Sequence, residues 1–225
     1  MIRVWVFLWL LTGCASTPEP VPEPRPDAPS TLSRASVMDG NLAGLNLSLT
    51  PFSHLGRSVS PVRAELLAAE QRYLPYLLKT TLTESGFWGA VRVTPSIDVT
   101  AELNCQGQLL SASAAELQVQ LICRDALGKL WLDDRFDTRI APDAYLQAGV
   151  DGRDPYRPVM VRIANRLADG LASFTDEDRR RLRDAALLRY AQTLSPEGFD
   201  GYLAVDAEGL MQVQGLPASS DPMVA

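Results

Sequence analysis

The chain changes its hydrophobic period several times, and each change marks an element. Val4 to Leu11 is an unbroken apolar run. Residues 16–30 then interleave proline with polar residues, which blocks helix and favours an extended polyproline II spacer. Leu45, Leu47 and Leu49 alternate with polar neighbours, the period of a half-buried strand, and Pro51 ends it. Leu66, Leu67, Leu74, Leu77, Leu78 and Leu82 fall at helical spacing and predict a helix over 61–84. Pro75 lies inside it, so a kink or two abutting helices are expected, and Ser85-Gly86 supplies the stop.

Residues 90–94 read as a short strand, and three longer ones follow. Leu103, Cys105, Gly107 and Leu109 share one face of 99–110. Leu117, Val119, Leu121 and Cys123 share one face of 116–124. Asp125-Ala126-Leu127-Gly128 is a turn signal before a third strand over 129–138. Val159, Ile163, Leu167 and Leu171 stripe a helix over 155–174. Thr175 with Asp178 predicts a cap opening a second helix, to about residue 193, packed through Leu182, Ala186, Tyr190 and Leu194. Ser195-Pro196 starts a last short helix through Tyr202, and the residues after 204 are expected to be loosely ordered.

This order predicts an α+β domain of two layers, a mostly antiparallel sheet with helices on one face, plus C-terminal helices. The expected division is a leader at 1–13, a tether at 14–42, the α+β domain at 43–174, late helices at 175–203 and a tail at 204–225. Tyr73-Leu74-Pro75-Tyr76-Leu77-Leu78, the run from Ser85 to Val93, the Gly107 strand and the run from Asp125 to Trp131 carry a resemblance. Over residues 43–174 the pattern is similar to the small α/β domain of the TolB amino terminus, CsgG and LpoB-type synthase activators. That resemblance implies a periplasmic interaction domain without an active site. It does not extend to the helices after Phe174.

The first apolar run is too short to span a bilayer core of about 30 Å, which needs roughly 20 residues. With Arg3 before it, it suits the core of a secretory signal. Leu11-Thr12-Gly13-Cys14 follows directly and resembles the lipobox of bacterial lipoproteins. The resemblance implies cleavage before Cys14 and acylation of that cysteine, with two or more chains giving stable anchoring. The alternative is an ordinary signal peptide with a chance cysteine. Ala15 and Ser16 follow, without aspartate, which by family analogy points to the outer membrane, on its periplasmic face.

Composition narrows the chemistry. Hydrophobic residues make up 46% and charged residues 21%, a globular balance. The net charge of −6, without a basic stripe, argues against nucleic acid. His54 is the one histidine and is expected in a loop, which removes most zinc and histidine-base chemistry. No phosphate loop, dinucleotide fingerprint or nucleophile elbow is present, and no cofactor or metal is expected. Carboxylate chemistry would have to use Asp98, Glu102, Asp133 and Asp134; a solvated sheet edge accounts for them more simply.

With Cys14 assigned to lipid, Cys105 and Cys123 remain, on apolar faces of neighbouring strands. A hairpin turning near Ala114 sets them opposite each other, within disulfide range. Two buried thiols are the alternative, and the absence of CxxC spacing argues against a redox pair. Arg179, Arg180, Arg181 and Arg183 form the sharpest charge run, either a partner-binding patch or the solvated face of a helix. Trp88 and Trp131 are interface anchors or buried core.

These features fit a lipid-anchored, non-enzymatic adaptor that binds another envelope component. A second class is an auxiliary lipoprotein of an envelope transport system handling lipid, which requires an apolar groove between the sheet and the late helices. A hydrolase would require a pocket of convergent polar groups. Cys14→Ser is expected to release the protein from membranes or leave it unprocessed. Sequencing of the mature amino terminus checks this, and a start at any other residue rejects it.

Overall fold

The computed structural model describes residues 31–36, 44–54, 61–146 and 154–218. The leader and Cys14 lie outside the described residues, as does most of the tether. The fold is α+β. Its main sheet is built from β1 (Leu47–Leu49), β2 (Ser53–His54), β3 (Val91–Val93), β4 (Leu103–Ala112), β5 (Glu116–Asp125) and β6 (Leu130–Arg139). The strands run in the order β3-β1-β4-β5-β6, with β2 beside the outer part of β4. β1 is parallel to both β3 and β4, whereas β4, β5 and β6 form an antiparallel meander. His54, expected in a loop, therefore belongs to a strand, and its Nδ1 donates to the Leu109 carbonyl at 3.1 Å.

One face of the sheet is apolar and the other polar, as period-two alternation requires. Leu103, Cys105 and Leu109 of β4 and Leu117, Val119, Leu121 and Cys123 of β5 are buried on the inner face. They pack against α1 (Pro61–Ser85) through Leu74, Leu78 and Leu82, and against α2 (Arg157–Ala172) through Val159, Ile163 and Leu167. Burying each such leucine contributes about 1.5–3 kcal/mol. Cys105 lies directly opposite Cys123 and the two form a disulfide, with Cα atoms 4.1 Å apart. Trp88 is buried, and Trp131 stacks between it and Phe174, with ring centroids 6.5 and 4.4 Å away.

α1 runs as one helix through Pro75 rather than as two abutting segments. Proline lacks the N–H that would bond the carbonyl four residues earlier. Here that carbonyl, on Gln71, accepts from the backbone N–H of Phe52 at 2.9 Å. Phe52, so anchored, lays its buried ring over Gly107 of β4, where a Cβ would stand 2.2 Å from the ring.

α3 (Asp176–Leu194) opens at Thr175 with the expected capping box, Thr175 Oγ1 accepting from the Asp178 N–H. Its inward face differs from the expected one. Leu182, Ala185, Ala186 and Leu188 are buried, while Tyr190 and Leu194 are exposed. Arg189 takes the inward place one turn on and reaches the Ala126 carbonyl at 3.5 Å, so the helix swings its last apolar residues outward. The segment 195–202 is a series of turns, not a helix, consistent with Pro196, Gly198 and Gly201.

Within the described residues up to 218, the chain after residue 202 forms two strands where loose structure was expected. β7 (Leu203–Val205) and β8 (Met211–Val213) form a hairpin. Asp206 closes its turn by accepting from the N–H groups of Glu208 and Leu210, with Gly209 at φ 80°. The boundary at residue 43 also moves. Residues 31–36 lie against the domain, with Leu32 packed on the core. Asn165 of α2 holds them by accepting from the Ser33 N–H and donating to the Thr31 carbonyl, both at 2.9 Å.

Gly107→Ala is expected to cost about 1–3 kcal/mol, because the added methyl must displace the Phe52 ring. Phe52→Leu in the same chain is expected to recover part of the loss. Urea unfolding of the two variants and the parent checks this; an unaltered Gly107→Ala midpoint rejects the contact.

Candidate functional site

Three surface features compete as sites, and their linings separate them. The turn from Asp125 to Gly128 positions two of them. Gly128 sits at φ 86°, a conformation that glycine adopts without strain. Asp125 Oδ1 accepts from the N–H groups of Leu127 and Lys129 at 2.9 and 3.0 Å, and Oδ2 accepts from Trp131 Nε1 at 3.0 Å. Burial nevertheless pushes the Asp125 carboxyl above its ordinary value, more than these donors pull it down. The same turn receives the late elements. Ala126 packs on Ala185 and Ala186, small residues that let α3 approach closely, and the Met211 N–H donates to the Leu127 carbonyl at 2.8 Å.

Between this turn and α3 lies a cavity of about 210 Å³, lined by Lys129, Asp178, Arg181 and Gln212 beside Phe174 and Leu182. It is small, and Leu127, Leu210 and Met211 also line it, so charged and apolar groups are mixed there. A second cavity, of about 490 Å³, borders β2 and is lined by Thr50, Ser53, Ser96, Ile97 and Gln106, with no titratable group.

The third feature lies on the outer face of α3. Leu187 and Leu194 are 63% and 69% exposed and stand two turns apart on one stripe, with Ala191 between them. Tyr190, 41% exposed, flanks the stripe. The turn at Ser195–Phe199 and the segment after β8 at Leu216, 56% exposed, wall it into a groove of about 520 Å³. Its lining is apolar except for Asp184, Ser195 and the Tyr190 hydroxyl. Hydrophobic residues gathered on one exposed face, rather than scattered, mark a contact surface.

The residues singled out in the sequence are dispersed. Arg180 is exposed and pairs with Glu177 at 2.5 Å; Arg181 lines the small charged cavity. Arg179 points to another side of the helix and lines a cavity with Ala168, Leu171 and Phe87, so it does not share a patch with Arg181. Arg183 is half-buried and engaged. Of the carboxylates, Asp133 accepts from Gln120, and Asp134 pairs with Arg166 of α2 at 3.3 Å. Asp98 stands 3.9 Å from Arg92. Glu102 is buried, against the expectation of a solvated edge, and accepts from the Asn46 N–H at 2.6 Å, joining β1 to β4. Each carboxylate thus serves its own neighbour. Among the described residues, no group of three or more His, Cys, Asp or Glu is placed to hold a metal, and no helix is long and apolar enough to cross a membrane.

No family model and no curated protein matches this chain. Several solved structures are similar in part, three of which follow. A PelC dodecamer from Paraburkholderia phytofirmans is 10% identical, covering 64% of this chain and 96% of that one at a TM-score of 0.39. The hypothetical protein CT253 from Chlamydia trachomatis is 12% identical over 63% and 98%, at 0.30. A neuraminyllactose-binding hemagglutinin homolog from Helicobacter pylori is 11% identical over 70% and 99%, at 0.29. None of the three is a TolB, CsgG or LpoB protein, and likeness at this level carries no functional argument.

The raised pKa of Asp125 has a definite sign. The folded chain holds that proton more tightly than the unfolded one, so this group's stabilisation is full below 3.8 and falls as pH rises through the elevated folded value. Asp125→Asn is expected to lower stability, since Asn cannot accept from all three donors, and also to remove that part of the decline. The difference between parent and variant urea midpoints, followed from about pH 3 to pH 7, checks it; a difference that does not change with pH rejects the buried-carboxyl account.

Proposed function

We propose that this chain is a lipid-anchored protein of the bacterial envelope, held at the periplasmic face of the outer membrane by Cys14, that acts by contact rather than catalysis. The observation that carries the reading is the apolar groove on the outer face of α3, with Leu187, Leu194 and Leu216 exposed together. Each of these leucines is more than half exposed, so a partner that covers them recovers a part of the roughly 1.5–3 kcal/mol that full burial contributes. The lipobox-like Leu11 to Cys14 and the proline-rich spacer support the location, and the lack of convergent polar groups along the groove supports contact over chemistry.

An apolar lining of this size also favours a second reading, an auxiliary lipoprotein that shields acyl chains in an envelope lipid-transport system. Saturable binding of a fluorescent fatty acid, lost in Leu187→Asp, would select it over the adaptor.

For the adaptor, Leu194→Asp is expected to leave the unfolding free energy within about 0.5 kcal/mol of the parent, because the side chain is exposed. It is also expected to abolish capture of envelope partners by crosslinking in intact cells. Undiminished capture rejects the groove as the binding surface, and loss of folding shows that the leucine is structural.

A further inference from the structure

We propose that two copies of this chain pair edge to edge through β6, antiparallel, about a two-fold axis at Phe136. The surface shares no residue with the α3 groove, so the pairing goes beyond the contact reading above and does not depend on it.

β6 ends the main sheet, and no strand among the described residues lies beyond it. From Leu132 to Arg139 it runs beside β5 without bulge, proline or glycine. The Ile140 N–H donates to the Ala115 carbonyl, so the even-numbered residues turn their backbone groups toward β5. Asp133, Arg135, Asp137 and Arg139 then turn theirs outward. Arg162 of α2 shows the same by donating to the Asp137 carbonyl, which keeps a second lone pair. An edge of this length, with its N–H and C=O groups turned out, is a template for another strand.

Side chains alternate with the same period, so these four residues also share the exposed outer face. Their charges alternate along it: negative, positive, negative, positive. The chain itself does not neutralise them. Asp133 accepts from the neutral amide of Gln120, while Glu116, opposite Arg139 on β5, accepts from Ser111. The ion pairs among the described residues use none of the four.

Pairing about Phe136 sets Arg135 opposite Asp137 of the second copy and Asp133 opposite Arg139 of the second copy, each relation repeated by the two-fold axis. Outward-turned residues meet outward-turned residues, as an antiparallel ladder requires. On the inner face the two half-buried Phe136 residues stand opposite each other at the axis. Moving the axis by one residue either way sets like charges directly opposite. Moving it by two leaves two of the four charges without an opposite partner. Charges on an edge strand commonly keep it from pairing. A run of one sign would do so against every copy, whereas alternating signs leave this register open. A peptide from another protein would have to carry the same alternation, which a second copy already has.

The test uses full-length chains in intact cells, with Arg135→Cys and Asp137→Cys expressed together. Cys105 and Cys123 are bonded to each other and Cys14 is assigned to lipid, so the new thiols are left to join. Facing residues of such a ladder stand about 5.5 Å apart, within disulfide reach. A band of twice the chain mass, lost on reduction, is expected. Either variant alone sets its thiols on a diagonal, about 7–8 Å apart, and is expected to give much less. Arg135→Cys with Asp133→Cys, which face each other only about a different axis, is expected to give none. Asp133→Arg in both chains is expected to lower the band about fivefold, and adding Arg139→Asp to restore it. A control band as strong as the first, or no restoration, overturns this register. No double-mass band, whether the thiols react freely with a water-soluble maleimide or are shielded by another occupant, overturns self-pairing. The otherwise unsubstituted chain, purified in detergent, gives a second readout. Light scattering is expected to find twice the chain mass, shifted toward one by Asp133→Arg and regained with Arg139→Asp; a single mass throughout also overturns the pairing.

Discussion

Because Pro75 has no N–H, the carbonyl of Gln71 finds no donor four residues along α1, and Phe52 supplies one instead. That single bond does two things at once. It satisfies a carbonyl that would otherwise be stranded beside the core, where an unpaired polar group costs about 1–3 kcal/mol. It also fixes where the Phe52 ring lands, over the one inner position of β4 that has no side chain. The ring thereby ties the segment after β1, the middle of α1 and the centre of the sheet into one packing unit. The disulfide lies two residues earlier on the same strand, at Cys105, so covalent and van der Waals constraints act on the same patch of sheet.

From that unit the fold extends through a second small device, the turn at Asp125. Its carboxylate organises the turn backbone and orients Trp131, while the turn's own carbonyls receive Arg189 and Met211. Neither α3 nor the hairpin β7–β8 adds a strand to the main sheet; both are hung on this turn, on Ala126 and on α3's small inward residues. With Ala126 against Ala185 and Ala186 the helix sits close, and Leu187 and Leu194 are left on the far side. The outer leucine stripe is in that sense a consequence of how α3 is seated.

Much of the main sheet was legible because alternation has a fixed period and the faces agree across neighbouring strands. The opposition of Cys105 and Cys123 followed from that register. α3 was harder to read: Leu182, Ala186, Tyr190 and Leu194 fit one helical stripe, but the choice of face was made by Ala185 and Arg189, whose partner Ala126 lies about 60 residues earlier in the chain. The hairpin had a signal, Asp206 and Gly209 between two short alternating runs, but runs of three residues barely rise above chance. Asn165 carried no signal at all. A polar residue on a helix looks solvated until the segment that it grips is placed against it.

That grip bears on how the domain would be loaded. For a chain held at Cys14, tension arrives along residues 31–36 and meets the middle of α2 through Asn165 and the end of α1 through the bond from Ala35 to Ser85. Neither the edge of the sheet nor the terminus of a strand is pulled directly. A few hydrogen bonds would peel in turn, each before the core is strained, and every residue released would lengthen the leash by about 3 Å. Under that loading the docked segment would act as stored slack, a mechanical fuse that pays out before the core is strained.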